Sequence, residues 1–539
     1  MLHHFRPALC ILTLALGLGS CTASARGTRP PQDPIDYVDP HMGGISHLLV
    51  PTFPTVHLPN GMMRVHPQRA DYATEQIAGL PLILTSHRGV SAFHLSPRRS
   101  LRDSIPEVTA YSYDDEQVRP YHYSAFLVEP EISVDFAPAY RSAIYRLRFE
   151  GEKDGRHLVF STDKGELVAS GKSFFGYQQL EDSTKVYIYG EFNVEPQRLG
   201  LRDQQTGHVT PATGVARGKA LTFTFAQSDV AMRYGISYIS IEQAKRNVLK
   251  EIQAFEVDLV AKFGRNEWSK ALDKIQLEGG TEAERRVFYT SLYRTYERMI
   301  CLSEEGSYWS AYDKKVHEDG GVPFYTDDWL WDTFRATHPL RILLDPVKEQ
   351  QMLTSYLRMA KQSPEGWLPT FPEVTGDTHR MNGTHTIAPF ADAYAKGVTG
   401  FNLSAAYTAS KKTLEEKSYL PWTRRPKGEL SKYLDEHGYF PGLPIGAKET
   451  YPEVTLWEKR QSVAVSLAAA YDYWTLAQLA KFSGHDEEAA GYLRRSYDYR
   501  KLFNYGTGFF HPKDSKGRFI EPFNYELSGG LGARDYYDE

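Results

Sequence analysis

Three carboxylates and two indoles fall within ten residues at positions 326–335 (TDDWLWDTFR). An indole stacks on the face of a sugar ring and a carboxylate accepts paired hydrogen bonds from vicinal hydroxyls, so the mixture suits a sugar site. Capping of a helix start accounts for Asp327 or Asp328, but hardly for all three carboxylates beside Arg335. A second run, residues 366–373 (GWLPTFPE) and 376–385 (GDTHRMNGTH), ends near Asp392. Its histidines, His379 and His385, are six positions apart, which matches no helical or finger-type zinc pair, and no cysteine assists. Hydroxyl recognition, orientation of a neighbouring carboxylate and bracing of the loop are the uses left to them. The third run is residues 535–539 (DYYDE). A carboxylic acid among aromatic rings can titrate high enough to act as a general acid near neutral pH, whereas an acidic chain end alone is usually a solvated tail.

The elements that must position these groups change character along the chain. From residue 35 to 240 the apolar period is two: Tyr145, Leu147 and Phe149 alternate with Ile144, Arg146 and Arg148, and Leu221, Phe223 and Phe225 with Thr222 and Thr224. Such segments, separated by Gly- and Asp-bearing breaks, predict an antiparallel β-sandwich. Residues 242–255 and 258–271 predict two helices, a helical linker over 241–275. The pattern from 276 to 539 is helical, with Phe288, Leu292, Tyr296 and Met299 on one stripe. Asp345 and Pro346 form an N-cap and N1 pair for a helix with Met352, Leu353, Tyr356, Leu357 and Ala360 on one face. Over 463–482 the polar residues Asp472, Thr475, Gln478 and Lys481 recur every third position in an otherwise apolar surface. So narrow a polar strip predicts burial on most sides, as for an inner helix of a helical barrel. The long polar loop over 364–389 is rich in Trp, His, Asp and Glu and reads as functional.

Composition bounds the partners. A formal charge of −5, thinly spread and without a basic run, predicts no nucleic-acid partner. Residues 1–20 read as a lipoprotein signal peptide: His3, His4 and Arg6 precede an apolar stretch over 8–18, too short to span a bilayer. Leu18, Gly19 and Ser20 before Cys21 match a lipobox, so Cys21 is expected to carry lipid on a tether over 21–34. The expected location is the periplasm or the outer-membrane surface, with membrane contact only through that lipid. Cys10 leaves with the signal and Cys301 remains as the one further thiol, so no disulfide framework is expected.

Seven stretches, in order, resemble motifs of glycoside hydrolase family 92: residues 38–44 (VDPHMGG), 52–65 (TFPTVHLPNGMMRV), 89–97 (GVSAFHLSP), 277–282 (LEGGTE), 330–340 (LWDTFRATHPL), 366–369 (GWLP) and 381–397 (MNGTHTIAPFADAYAKG). The resemblance implies a β-sandwich packed on an (α/α)6 barrel, with a calcium ion at the interface that helps bind and distort mannose. It implies inverting hydrolysis of terminal α-mannosidic linkages, α-1,2 foremost, in mannans or N-glycans. On this resemblance Trp331, Asp332, Asp377, His385 and His94 contact mannose, Arg335 orients carboxylates and Glu539 is the general acid. Two departures lie on the sandwich side: Ser91, Ala92 and Phe93 precede His94 where the family has a further histidine, and Pro54, Thr55 and Val56 replace a Pro-Gly-Ala stretch. The motifs that supply the base and much of the calcium shell follow the position of Glu539 in the family. The barrel is therefore expected to be incomplete, with the Leu476 and Leu479 side of its inner helix exposed. The rival expectations are a sandwich-plus-barrel glycosidase or phosphorylase acting on glucosides and a surface lipoprotein that binds mannan without cleaving it.

Overall fold

Two-residue alternation builds two antiparallel sheets in the N-terminal half of the computed structural model, which describes residues 33–45, 52–69, 74–86, 90–102, 104–524, 526 and 535–536. The signal stretch, Cys21 and Glu539 lie outside the described residues. One sheet has the spatial order Val209–Ala212, Arg198–Arg202, Ala220–Thr224, His157–Ser161, Ser91–Arg98, Leu80–Leu84. The other runs Val215–Gly218, Gly165–Ser170, Ser173–Gln179, Lys185–Phe192, Asp229–Ser237, Ser142–Phe149, Ile132–Pro138, His122–Leu127, Ala110–Arg119, Gln76–Ala78.

The facing surfaces are aromatic. Phe160 of the first sheet lies 4.7 Å from Phe174 of the second, and Phe223 lies 4.9 Å from Phe192, centroid to centroid. Burying rings of this size is among the largest apolar contributions a sandwich can make. Tyrosines that cross the core need a partner for the hydroxyl, and find it on the opposite sheet: Tyr145 donates to the Pro81 carbonyl (3.0 Å), Tyr234 to Leu82 (2.8 Å) and Tyr111 to Pro97 (2.9 Å).

Tyr145, Leu147 and Phe149 point into this core, and Arg146 and Arg148 point away, as the alternation predicts. Ile144, on the arginine side, is nevertheless buried. Helices α1 (Ile241–Glu251) and α2 (Val257–Leu272) cover that face, and Val248, Ile252 and Val260 join Ile144 and Ala137 in a separate apolar cluster. The segment read as a linker is thus a third layer of the N-terminal half.

The helical half comprises α3 (Glu282–Thr295), α4 (Leu330–Thr333), α5 (Thr337–Leu344), α6 (Pro346–Gln362), α7 (Ile387–Ala395), α8 (Leu403–Glu416), α9 (Glu429–His437), α10 (Ser462–Phe482) and α11 (Asp486–Arg495). Asp345 caps α6 by accepting from the Lys348 amide at 3.2 Å, and Met352, Leu353, Tyr356 and Ala360 form its buried face. Helix α10 packs on α7, α8 and α11. The first half of its polar strip does not face water: Asp472 and Thr475 are buried, while Lys481 at the far end is exposed, and Tyr471 (40% exposed) and Trp474 (45%) are open side chains. Leu476 and Leu479, expected to be exposed, are packed in the core; the strip turns inward because the 376–386 loop lies over it and takes the Asp472 carboxylate. Among the described residues no helix is long and apolar enough to cross a membrane.

The halves are joined through backbone as well as side chains. The amide of Asn60 donates to the Tyr296 carbonyl (2.8 Å) and its carbonyl accepts from Cys301 (3.0 Å), and one apolar cluster runs from Val56 and Met63 through Met299 and Leu302 to Met352.

Candidate active site

The 326–335 run is fixed from behind by two buried charge clusters. Asp327, with φ of 66°, lies in the left-handed region that aspartate tolerates better than most residues. Its carboxylate pairs with Arg64 (2.5 Å), which comes from the short strand Arg64–Val65, paired with Val56–His57 apart from the two large sheets, and with Arg298 (2.8 Å). The Arg298 guanidinium also lies 3.8 Å from the centre of the Trp329 ring. Asp328 accepts from the Trp329 amide (2.8 Å) and the Thr333 hydroxyl (2.9 Å), which closes the single turn of α4. Its other oxygen accepts from Tyr356 and from Nε2 of His338 (2.9 Å), whose Nδ1 lies 2.7 Å from Glu349.

All members of this second cluster are fully buried. Burial alone would discharge His338, but Glu349 and Asp328 outweigh it and raise its pKa to about 9. Burial likewise opposes the Asp328 carboxylate, and the bond and charge of His338 outweigh that and hold it well below the usual range. Two of the three aspartates of the run are therefore structural, and they present Trp331, Phe334 and Arg335 outward.

Those side chains open on a cleft of about 880 Å³ between the α4–α5 turn, α7 and α10. Trp331, Arg335, His385, Asp392, Tyr471 and Trp474 are among its walls. The Arg335 guanidinium sits 5.7 Å from the Trp331 ring. The His385 ring stacks on Phe334 at 4.2 Å, and its Nδ1 is 2.8 Å from Asp472 on α10. Asp392 pairs with Lys396 at 2.6 Å, one turn along α7.

The cleft thus gathers Trp331, Arg335 and His385 of the predicted sugar-binding set. Asp332 is exposed on α4 beside it, outside the lining residues. Asp377 is no part of the lining: its oxygens accept from the amides of Thr370 (2.9 Å), Phe371 (2.8 Å) and His379 (3.0 Å). Burial opposes that carboxylate, but His379, Lys417 and these amides hold its pKa far below the ordinary range, so Asp377 braces the loop. His94 lies in the sheet, in the strand Ser91–Arg98, opposite Pro81 and Ser161, and does not line the cleft. Cys301 is packed against the core, and burial raises its thiol pKa, the opposite of what a nucleophile needs.

The third run contributes through its backbone. The Asp535 and Tyr536 carbonyls accept from the amides of Ser462 (3.2 Å), Val463 (2.8 Å) and Ala464 (3.1 Å), the unsatisfied donors at the start of α10. This brings the stretch before Glu539 to the first turn of the helix that lines the cleft. Among the described residues no group of three or more His, Cys, Asp or Glu side chains is placed to hold a metal ion.

Asp472, the Asp328–His338–Glu349 cluster and the Arg64–Asp327 pair are the site features that sequence reasoning missed. Asp472 carried a signal as a carboxylate in an apolar helix, and Asp327 and Asp328 as candidate caps, whereas their buried partners Arg64, His338 and Glu349 carried none.

The sequence model described as the glycosyl hydrolase family 92 N-terminal domain matches residues 37–237, and that described as the family 92 catalytic domain matches residues 243–539. The chain belongs to glycosyl hydrolase family 92. The break between the two family 92 models falls between the strand Asp229–Ser237 and the third residue of α1. Solved structures of the same family share the fold. The inverting mannosidase BT2199 of Bacteroides thetaiotaomicron VPI-5482 superposes with a TM-score of 0.80 at 24% identity, covering 92% of this chain and 69% of that one. The α-mannosidase BT3965 of Bacteroides thetaiotaomicron gives 0.79 at 22% identity over 93% and 70%. Its complex with mannoimidazole gives 0.79 at 23% identity over 92% and 67%. No curated protein matches this family 92 chain by sequence comparison.

Proposed function

We propose that the chain hydrolyses terminal non-reducing α-mannosidic linkages, α-1,2 foremost, in mannans or N-glycans, with inversion of configuration. The observation that carries this is the cleft in a family 92 chain: an indole, a guanidinium and a carboxylate-backed imidazole converge on one concavity of about 880 Å³, within the range of small-ligand sites. The named activities of the similar structures, an inverting mannosidase and an α-mannosidase that binds mannoimidazole, support the choice of mannose. Trp331 stacks on the sugar face, Arg335 orients carboxylates, His385 meets a hydroxyl and Asp332 stands at the rim. Glu539 is the general acid. Inversion needs a second carboxylate to activate water from the opposite face, roughly 6.5–9.5 Å from the acid; among the described residues none is assigned to that role. Calcium dependence is proposed from the family resemblance.

The test is α-1,2-mannobiose followed by proton NMR. β-Mannose as the first anomer released, loss of turnover with a calcium chelator and no action on aryl α-glucosides are expected. α-Mannose as the first product, or comparable turnover of α-glucosides, overturns the reading; binding of mannobiose with no mannose released turns it into a non-catalytic mannan binder. Trp331→Ala should weaken binding of mannoimidazole about 2- to 10-fold by calorimetry, the worth of one aromatic stacking contact. Melting should be little changed, since the ring is only half-buried. An unchanged affinity would move the sugar away from this wall.

A further inference from the structure

His385 presents to the cleft only what its other partners leave. Its Nδ1 faces Oδ1 of Asp472 at 2.8 Å, and an ionised carboxylate can only accept, so Nδ1 carries the proton. Asp472 is itself pinned, buried on α10, with its second oxygen accepting from the Thr384 amide at 2.5 Å. The ring cannot swing: Phe334 stacks on one side, and Tyr471 meets it edge-on at 5.9 Å. Nε2 makes no hydrogen bond among the described residues, although it is not an enclosed atom. Gly383, with φ of 85°, keeps the space beside it clear; a Cβ there would stand 2.5 Å from Nε2.

In its neutral form an imidazole held this way offers the cleft one lone pair and no proton. We propose that Asp472 is a positioning residue that fixes His385 as the Nδ1–H tautomer, so that Nε2 accepts a hydrogen bond from one hydroxyl of the bound glycoside. The proposal rests on the reading of the cleft as a mannoside site, and it adds a specificity rule. The ligand must bring a hydroxyl donor to His385, and a deoxy sugar lacking it leaves a polar atom of the wall unmatched.

Asp472→Asn reverses the arrangement without changing its shape. The asparagine carbonyl still accepts from Thr384, but its amide must donate to Nδ1, which moves the imidazole proton to Nε2 and turns an acceptor into a donor. The experiment has two arms on the full chain. Imidazole 15N spectra of histidine-labelled protein, with the His385 signals identified by their loss in His385→Gln, should show Nδ1–H in the wild type and Nε2–H in Asp472→Asn. Calorimetry with methyl α-mannoside should show affinity at least about tenfold weaker in Asp472→Asn. Wild-type His385 protonated on Nε2 overturns the role of Asp472, whatever the variant does. A tautomer that flips with affinity unchanged overturns the acceptor role. Wild type that shows Nδ1–H but binds no methyl α-mannoside overturns the mannoside reading and the ligand named here, and leaves only a loop brace.

Discussion

Asp327→Ala is expected to lower the stability of the protein by about 3–5 kcal/mol, because it strands two arginines on one buried site. Arg64 is 2% exposed and Asp327 1%, so water cannot replace the lost carboxylate. The two guanidiniums would then repel across the space that Asp327 fills. Alanine also tolerates a φ of 66° less well than aspartate does, which adds strain to the charge effect. Asp327→Asn separates the two, since asparagine accepts the left-handed backbone but carries no charge. Urea unfolding of both variants is the measurement: a loss in Asp327→Asn near that of Asp327→Ala assigns the effect to the charges. Values within 1 kcal/mol of wild type for both, on the scale of an exposed pair, would mean that the ion pair does not tie the halves together.

The second large effect follows pH. The folded-state pKa of His338, about 9, lies above its ordinary 6.5. The folded protein therefore holds a proton that the unfolded chain releases earlier, and the stabilisation is complete below about pH 6.5 and disappears as pH rises through about 9. Stability should fall over that window, and His338→Gln should remove this part of the slope. The same variant should cost about 3–5 kcal/mol at neutral pH, since Asp328 and Glu349 would share a buried site without their common cation. Glu304 titrates nearby in pH but not in the same window. Burial raises its carboxyl to about 7 against the pull of Ser237, Tyr238 and Asn247, so its contribution is lost between about 4.5 and 7. Melting curves from pH 6 to 10 decide the matter: a wild-type slope between 7 and 9 that persists in His338→Gln places the titrating group elsewhere.

Periodicity is a local signal, and the local parts of the structure were legible from it. The strand Ser142–Phe149, the Asp345 cap and the extent of α10 follow from spacing alone. Which face of an element meets which neighbour depends on partners distant in sequence, and there the reading ran out. Ile144 is buried because helices a hundred residues on cover its sheet. Asp472 sits in what looked like a solvent strip because a loop from elsewhere lies over it. The site divides in the same way. Trp331, Arg335 and His385 line one cleft, whereas His94, from one of the family-like stretches, and Asp377, from the loop run between two of them, are held by their own sheet and loop. Composition distinguishes a sugar-binding carboxylate from a structural one only when its hydrogen bonds are known.

The bonds between Asn60 and residues 296 and 301 bear on how the chain is made. On a ribosome adding about 5–20 residues per second, Asn60, Met62 and Met63 emerge on the order of tens of seconds before Tyr296, Met299 and Leu302. Over that interval the Asn60 backbone groups and the apolar side chains of Met62 and Met63 lack the partners that residues 296–302 supply. The contacts of the first half at Asn60, Met62 and Met63 are therefore completed only by residues made late in synthesis.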